Sequence, residues 1–234
     1  MSRRRQWLTV VVFALAMAWL ESAVVVYLRT LVNRLEPHQP NPLPDFGHLA
    51  STEKIREAAT LVMLIAVGCL AGWNARARFA YVMVAFGVWD IFYYVFLWVI
   101  CGWPKSLLDW DVLFLLPLPW WGPVFAPMLI AALMLVFGTI ATQTVGNRVP
   151  WPSRKAVFLN GTGDVLALYV FMSDAIRAIQ NNTPVENALP AHFDWPLFLI
   201  ALALMAAPVV DILLPSRRVL RAATEGSASH PNIP

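Results

Sequence analysis

Residues 79–101 read FAYVMVAFGVWDIFYYVFLWVIC, a run with a single charged residue, Asp90, near its centre. A stretch of this length without turn residues is long enough, as a helix, to cross the hydrocarbon core of a bilayer. It cannot be a strand of ordinary length, because its apolar character does not alternate and extends over too many residues. The run therefore predicts a membrane-spanning helix, and the rest of the chain extends the pattern.

Outward from it, comparable apolar segments occupy 7–28, 55–73, 123–143, 157–179 and 196–214. With no water in the bilayer core to satisfy backbone groups, each is expected to be helical. The expectation is thus an all-α integral membrane protein with six transmembrane helices in a single domain over residues 1–221. Composition agrees: 59% of the 234 residues are hydrophobic and only 13% are charged, about half the share typical of soluble domains. The net charge of +3 carries no nucleic-acid signature, since Lys and Arg in such a chain set orientation. The bilayer itself is the partner that composition implies.

Arg3, Arg4 and Arg5 precede the first apolar run and imitate a signal peptide. The run continues to Leu28, too long for an h-region, and no small-x-small site follows, so an uncleaved first span is expected. If the N-terminus is cytoplasmic, eleven of the 17 Lys and Arg residues fall on the inner side and six on the outer side. That bias predicts both termini inside, in a multi-pass protein of a bacterial inner membrane. Residues 222–234, small and polar, are expected to form a disordered cytoplasmic tail.

Two outer connections stand out. Residues 36–51 hold Pro37, Pro40, Pro42 and Pro44, which exclude a regular helix or a central strand. Residues 102–122 hold Trp103, Trp110, Trp120 and Trp121 among three prolines. This segment is too apolar for a solvated loop and too interrupted for a span. It is expected at the outer interface or folded back over the bundle, where it also offers a docking point for a membrane-protein partner.

The spans carry carboxylates. Glu21, Asp90 and Asp164 each lie within an apolar run and are followed closely by tyrosine: Tyr27, Tyr93 with Tyr94, and Tyr169. A carboxylate at mid-bilayer costs about 2.5–3.5 kcal/mol on insertion scales, so each calls for a partner or a use. Gly87-Val88-Trp89-Asp90-Ile91 and Gly161-Thr162-Gly163-Asp164-Val165 share the pattern G-x-x-D-[IV]. This suggests repeated helical hairpins, and Gly161 and Gly163 mark either close helix packing or a break in the fifth span.

Further ionisable residues lie toward the outer side: Glu53, Arg56 and Glu57 at the start of the second span, Arg29 at the end of the first, and Asp174 with Arg177 at i,i+3 spacing in the fifth. Glu21, Glu57, Asp90 and Asp174, with Tyr27, Tyr93 and Tyr94 at the wall, are expected to line one outward-open polar cavity, and Asp164 a level nearer the cytoplasm. The competing expectation is that these acids pair with Arg29, Arg56 and Arg177 as links between helices. Asp211 reads as structural.

No cofactor follows from the residues. The four histidines all lie outside the predicted spans, and no H-x-x-H, H-x-x-x-H or E-x-x-H spacing occurs, so the sequence gives no basis for naming a metal. G-x-S-x-G and HExxH are missing, as is a phosphate-loop ending. Cys69 and Cys101 read as small apolar residues of the spans.

Three functional readings are compatible with this pattern. The first is a small transporter or ion- or proton-handling protein, with a route through Glu21 and Asp90. The second is a non-catalytic membrane subunit or assembly factor. The third is a membrane enzyme acting on a lipid or quinone-like substrate, with a carboxylate as general base.

Overall fold

The computed structural model describes residues 2–39, 48–115, 118–144, 150–183, 190 and 192–214. The expected tail at 222–234 and residues 40–47 of the proline-rich 36–51 connection lie outside the described residues. The chain forms helices α1 (Arg3–Leu31), α2 (His48–Ala71), α3 (Ala75–Cys101), α4 (Phe125–Gln143), α5 (Arg154–Gln180), α6 (Trp195–Met205) and α7 (Ala207–Leu213). Between α3 and α4 stand two strands, β1 (Trp110–Phe114) and β2 (Trp120–Pro123).

Five helices are long and apolar enough to cross a membrane: α1, α3, α4, α5 and the combined stretch Trp195–Leu213. The second predicted span is a helix, α2, but Lys54, Arg56 and Glu57 stand in its first half and leave its uncharged stretch short of a full crossing.

Local chemistry explains the helix boundaries. Ser2, Asn74 and Ser153 cap α1, α3 and α5 by accepting from the backbone N–H of Arg5, Ala77 and Ala156. Asp194 does the same for Leu197 at the start of α6. The sixth predicted span is divided at Ala206, because Pro208 in the first turn of α7 has no N–H to continue the ladder. In contrast, α5 is unbroken through Gly161-Thr162-Gly163, so the helix break considered there does not occur.

Two larger apolar cores hold the bundle together, with smaller clusters beside them. Val10, Ala14, Met17, Leu64, Val84 and Trp89 knit α1, α2 and α3 together. Ala126, Ala167, Val170, Phe171, Phe198 and Ala201 join α4, α5 and α6. The two halves meet along α3 and α4. There a Cβ on Gly138 would lie 2.5 Å from the Ala80 carbonyl oxygen, and one on Gly87 2.5 Å from that of Ala131. Only glycine allows these backbones to approach so closely, the usual device for helix association in lipid.

The chain is mostly helical, as expected, with a short two-stranded sheet besides the helices. The Trp-rich segment is a β-hairpin, with Trp110 opposite Pro123, Asp111 opposite Gly122, Val112 opposite Trp121 and Phe114 opposite Trp120, and an irregularity between Val112 and Phe114. Its two ends are tied to the start of α4: the amides of Val124 and Phe125 donate to the carbonyls of Asp109 (2.9 Å) and Leu107 (2.8 Å). These loop carbonyls serve a helix start that has no side-chain cap. The hairpin folds inward. Trp103 and Trp121 are 4% and 2% exposed, too deep to anchor at a lipid interface. Phe114 packs toward the α3 side and Trp110 and Trp120 pack on the α5–α6 side, while Leu113 touches both the α5–α6 core and the cluster that holds Tyr94.

Candidate functional site

The hairpin carries the most buried acid among the described residues. Asp111, on β1, is 1% exposed. Its Oδ1 lies 2.7 Å from Arg29 Nη2 at the far end of α1 and accepts the Val112 amide at 2.9 Å. The same guanidinium lies over the Trp103 ring, 4.3 Å from its centroid, which adds a cation–π contact in a desolvated setting. Burial pushes the Asp111 carboxyl above its ordinary value, against the opposing pull of Arg29, the Val112 amide and the Tyr94 hydroxyl.

Asp90 and Tyr94 stand one turn apart on α3 and share a face. Asp90 is 7% exposed, and its Oδ2 meets no hydrogen-bond donor among the described residues. Asp111 Oδ2 is in the same condition. The charges of Asp90 and Asp111 are close enough to act on one another and on Tyr94. Two buried carboxylates therefore face one cluster, and a single guanidinium is bonded to one of them.

Tyr93 links this cluster to a second one. Its charged neighbours include Arg29 and Asp111 on one side, Glu21 and Arg56 on the other. Its carbonyl lies 2.9 Å from Ser22 Oγ on α1. Glu21 is bonded to the Arg56 guanidinium of α2 and accepts from the Thr60 hydroxyl at 3.1 Å. Arg56 Nε also lies 2.8 Å from Glu53 Oε2. Glu21 is thus a member of an interhelical ion pair.

The other predicted residues take separate places. Glu57 turns to the hairpin, where Oε2 accepts the Leu115 amide at 3.0 Å. Asp174 lies on α5, 3.0 Å from Arg177, and its charged neighbours are Arg177 and His192, not the acids of α1–α3. Asp164 is half-buried on the same helix. Tyr27 is 67% exposed and so lines no buried site. Of the expected cavity, Asp90, Tyr93 and Tyr94 come together around Asp111, with Glu21 beyond Tyr93. Asp111 and Arg29 complete this group; the sequence offers Arg29 only as a partner for an acid and Asp111 only as part of the Trp-rich segment. The signal for Arg29 was present: a cation ending a span with no acid three or four residues away in its own helix.

The G-x-x-D register is not reproduced in the packing. A Cβ on Gly163 would lie 2.6 Å from the Ala201 carbonyl oxygen, as Gly87 approaches Ala131, whereas Gly161 faces open space. The glycine that matches Gly87 in contact is the one beside Asp164, not the one aligned by motif.

A shallow groove of about 410 Å³ lies on α5, lined by Phe158, Gly161, Thr162, Val165 and Leu166. Neither Glu21 nor Asp90 lines it. Among the described residues no three His, Cys, Asp or Glu side chains gather as a metal-ligand set. Asp211 Oδ2 accepts the Ser153 amide at 2.6 Å and joins the end of α7 to the start of α5. Both cysteines are free. Comparison with family models, curated proteins and solved structures finds no match to the chain.

Proposed function

We propose that the chain is a multi-pass membrane protein that handles an ion or proton, with Asp90 as the group that binds it. The supporting observation is the Asp90 carboxyl itself, buried in the bundle with Oδ2 unpartnered, one turn from Tyr94 and facing the Asp111–Arg29 pair. A carboxyl so placed is costly in a membrane interior unless it is used or neutralised. Tyr93 continues the polar line from this cluster toward Glu21 and Arg56. In this reading α2 completes six spans, both termini are cytoplasmic, the hairpin faces outward and the membrane is a bacterial inner membrane.

Reconstitution into liposomes with an internal pH dye tests the reading. An imposed gradient of protons or monovalent cations should drive a flux that Asp90→Asn abolishes while the protein stays folded and monodisperse. Normal flux through D90N refutes it.

A second reading, a non-catalytic subunit of a larger membrane assembly, draws on a different observation. Glu21 and Asp111 each have an arginine partner on another element, as structural links across the bundle would. A stoichiometric partner retained in mild detergent, whose loss destabilises this chain, favours it.

A further inference from the structure

The charge count around Asp90 does not close with the residues that surround it. α1 contributes Arg29, bonded to Asp111, and Glu21, bonded to Arg56 of α2. α2 also contributes Glu57, which accepts the Leu115 amide. α4 carries no ionisable side chain from Phe125 to Gln143. β1 contributes Asp111, and α3 itself Tyr93 and Tyr94. The described cations near the cluster are thus already engaged by other carboxylates. Asp90 ionised would add a further negative charge, without a donor on Oδ2, beside a second buried carboxylate.

Two neighbouring buried carboxylates do not both ionise readily; one takes the proton. Geometry decides which. Asp111 has a guanidinium at 2.7 Å and an amide at 2.9 Å on Oδ1, both of which favour its charged form. Asp90 Oδ2 has no such donor among the described residues. A hard metal ion is the alternative source of positive charge, but it needs about six oxygen ligands, and no third carboxylate or histidine converges here among the described residues. A proton needs only the one oxygen.

We propose that Asp90 is a proton-binding site, a neutral carboxylic acid that holds one exchangeable proton beside the ionised Asp111–Arg29 pair. This names the ion of the function proposed above and rests on that reading for its purpose, though not for its existence. The site is closed on the hairpin side: Phe114 lies 6.5 Å, ring to ring, from both Trp89 and Phe86, and Leu113 packs in the cluster that holds Tyr94.

Infrared spectroscopy of the purified full-length protein tests the proposal directly. The measurement is made in an Asp164→Asn background, which removes the other unpaired aspartate carboxyl of a long apolar helix. At neutral pH this protein should show a carboxylic-acid C=O band that moves on labelling with carbon-13 aspartate and on exchange into heavy water. Adding D90N should remove the band; D90E should restore one that no longer moves with the aspartate label. If D90N does not fold, D90E in the same background decides the matter, because a band from any other aspartate would still move with the aspartate label. Absence of the label-sensitive band in the D164N protein at neutral pH, or its persistence at full size in folded D164N/D90N or in D164N/D90E, overturns the proposal. Liposome flux fails independently: a protein with the band but no flux keeps the site and loses the transport reading.

Discussion

Arg29 Nη2 lies 2.7 Å from Asp111 Oδ1, and this contact joins the last turn of α1 to a strand 82 residues later in the chain. The pair is the one salt bridge among the described residues that joins the hairpin to a helix. Removing one partner of a buried pair leaves the other uncompensated, at a cost of about 3–5 kcal/mol. Asp111→Ala should therefore destabilise the protein by about that amount in denaturation experiments in detergent. Replacing both residues with apolar ones, as in R29M/D111L, should cost less than D111A alone. A double variant less stable than D111A would show that the pair contributes beyond mutual neutralisation.

Asp111 also sets a pH dependence. Its folded-state carboxyl is weaker as an acid than its ordinary value of 3.8, because burial outweighs Arg29. The folded protein then binds the proton more tightly than the unfolded chain does. Its contribution is complete below pH 3.8 and is lost as pH rises through the higher folded-state value. Stability measured from acid upward should fall across that window, and Asp111→Asn should flatten this part of the curve. An unchanged slope in D111N would assign the dependence to other groups.

The difference between the helices and the hairpin explains how far the sequence could be read. A long apolar run such as 79–101 reports helix and membrane together, since the bilayer permits few other structures. Residues 110–123 carry no such constraint. β1 spans five residues, too few for alternation to emerge, and its tryptophans suit an interface as well as a core. Asp111 was hidden for the same reason: it lies in a loop by composition, and its partner is remote in sequence. Glu21 with Arg56 was more legible, because both lie on apolar helices where a lone charge demands an opposite one. Asp90 was visible from its span alone, but its neighbour Asp111 was not.

Arg56 serves two acids, and the two ends of that contact should differ in weight. Glu21→Gln keeps an acceptor for the Thr60 hydroxyl, which lies 3.1 Å from Oε2, and leaves Arg56 paired with Glu53. Arg56→Ala strands both Glu21 and Glu53. With the pair about three-quarters buried on the arginine side, E21Q should cost about 1 kcal/mol and R56A clearly more, as neutral hydrogen bonds and uncompensated charges differ. Equal thermal shifts for the two variants in detergent would place the weight on Glu21 alone.

The glycine contacts make a prediction with an internal control. At Gly87 and Gly163 an added methyl meets a carbonyl oxygen of the facing helix at 2.5 and 2.6 Å, so the helices must move apart. Overpacking of this kind costs about 1–3 kcal/mol. Gly161, two residues from Gly163 on the same helix, has open space at the same position. Gly161→Ala should be neutral or slightly stabilising, because alanine is the better helix former by about 1 kcal/mol. Gly87→Ala and Gly163→Ala should each lower thermal stability in detergent, and their effects should add, since the first acts between α3 and α4 and the second between α5 and α6. A destabilising G161A with a neutral G163A would mean that the motif register, with Gly161 in the place of Gly87, describes the helix contacts better than the packing does.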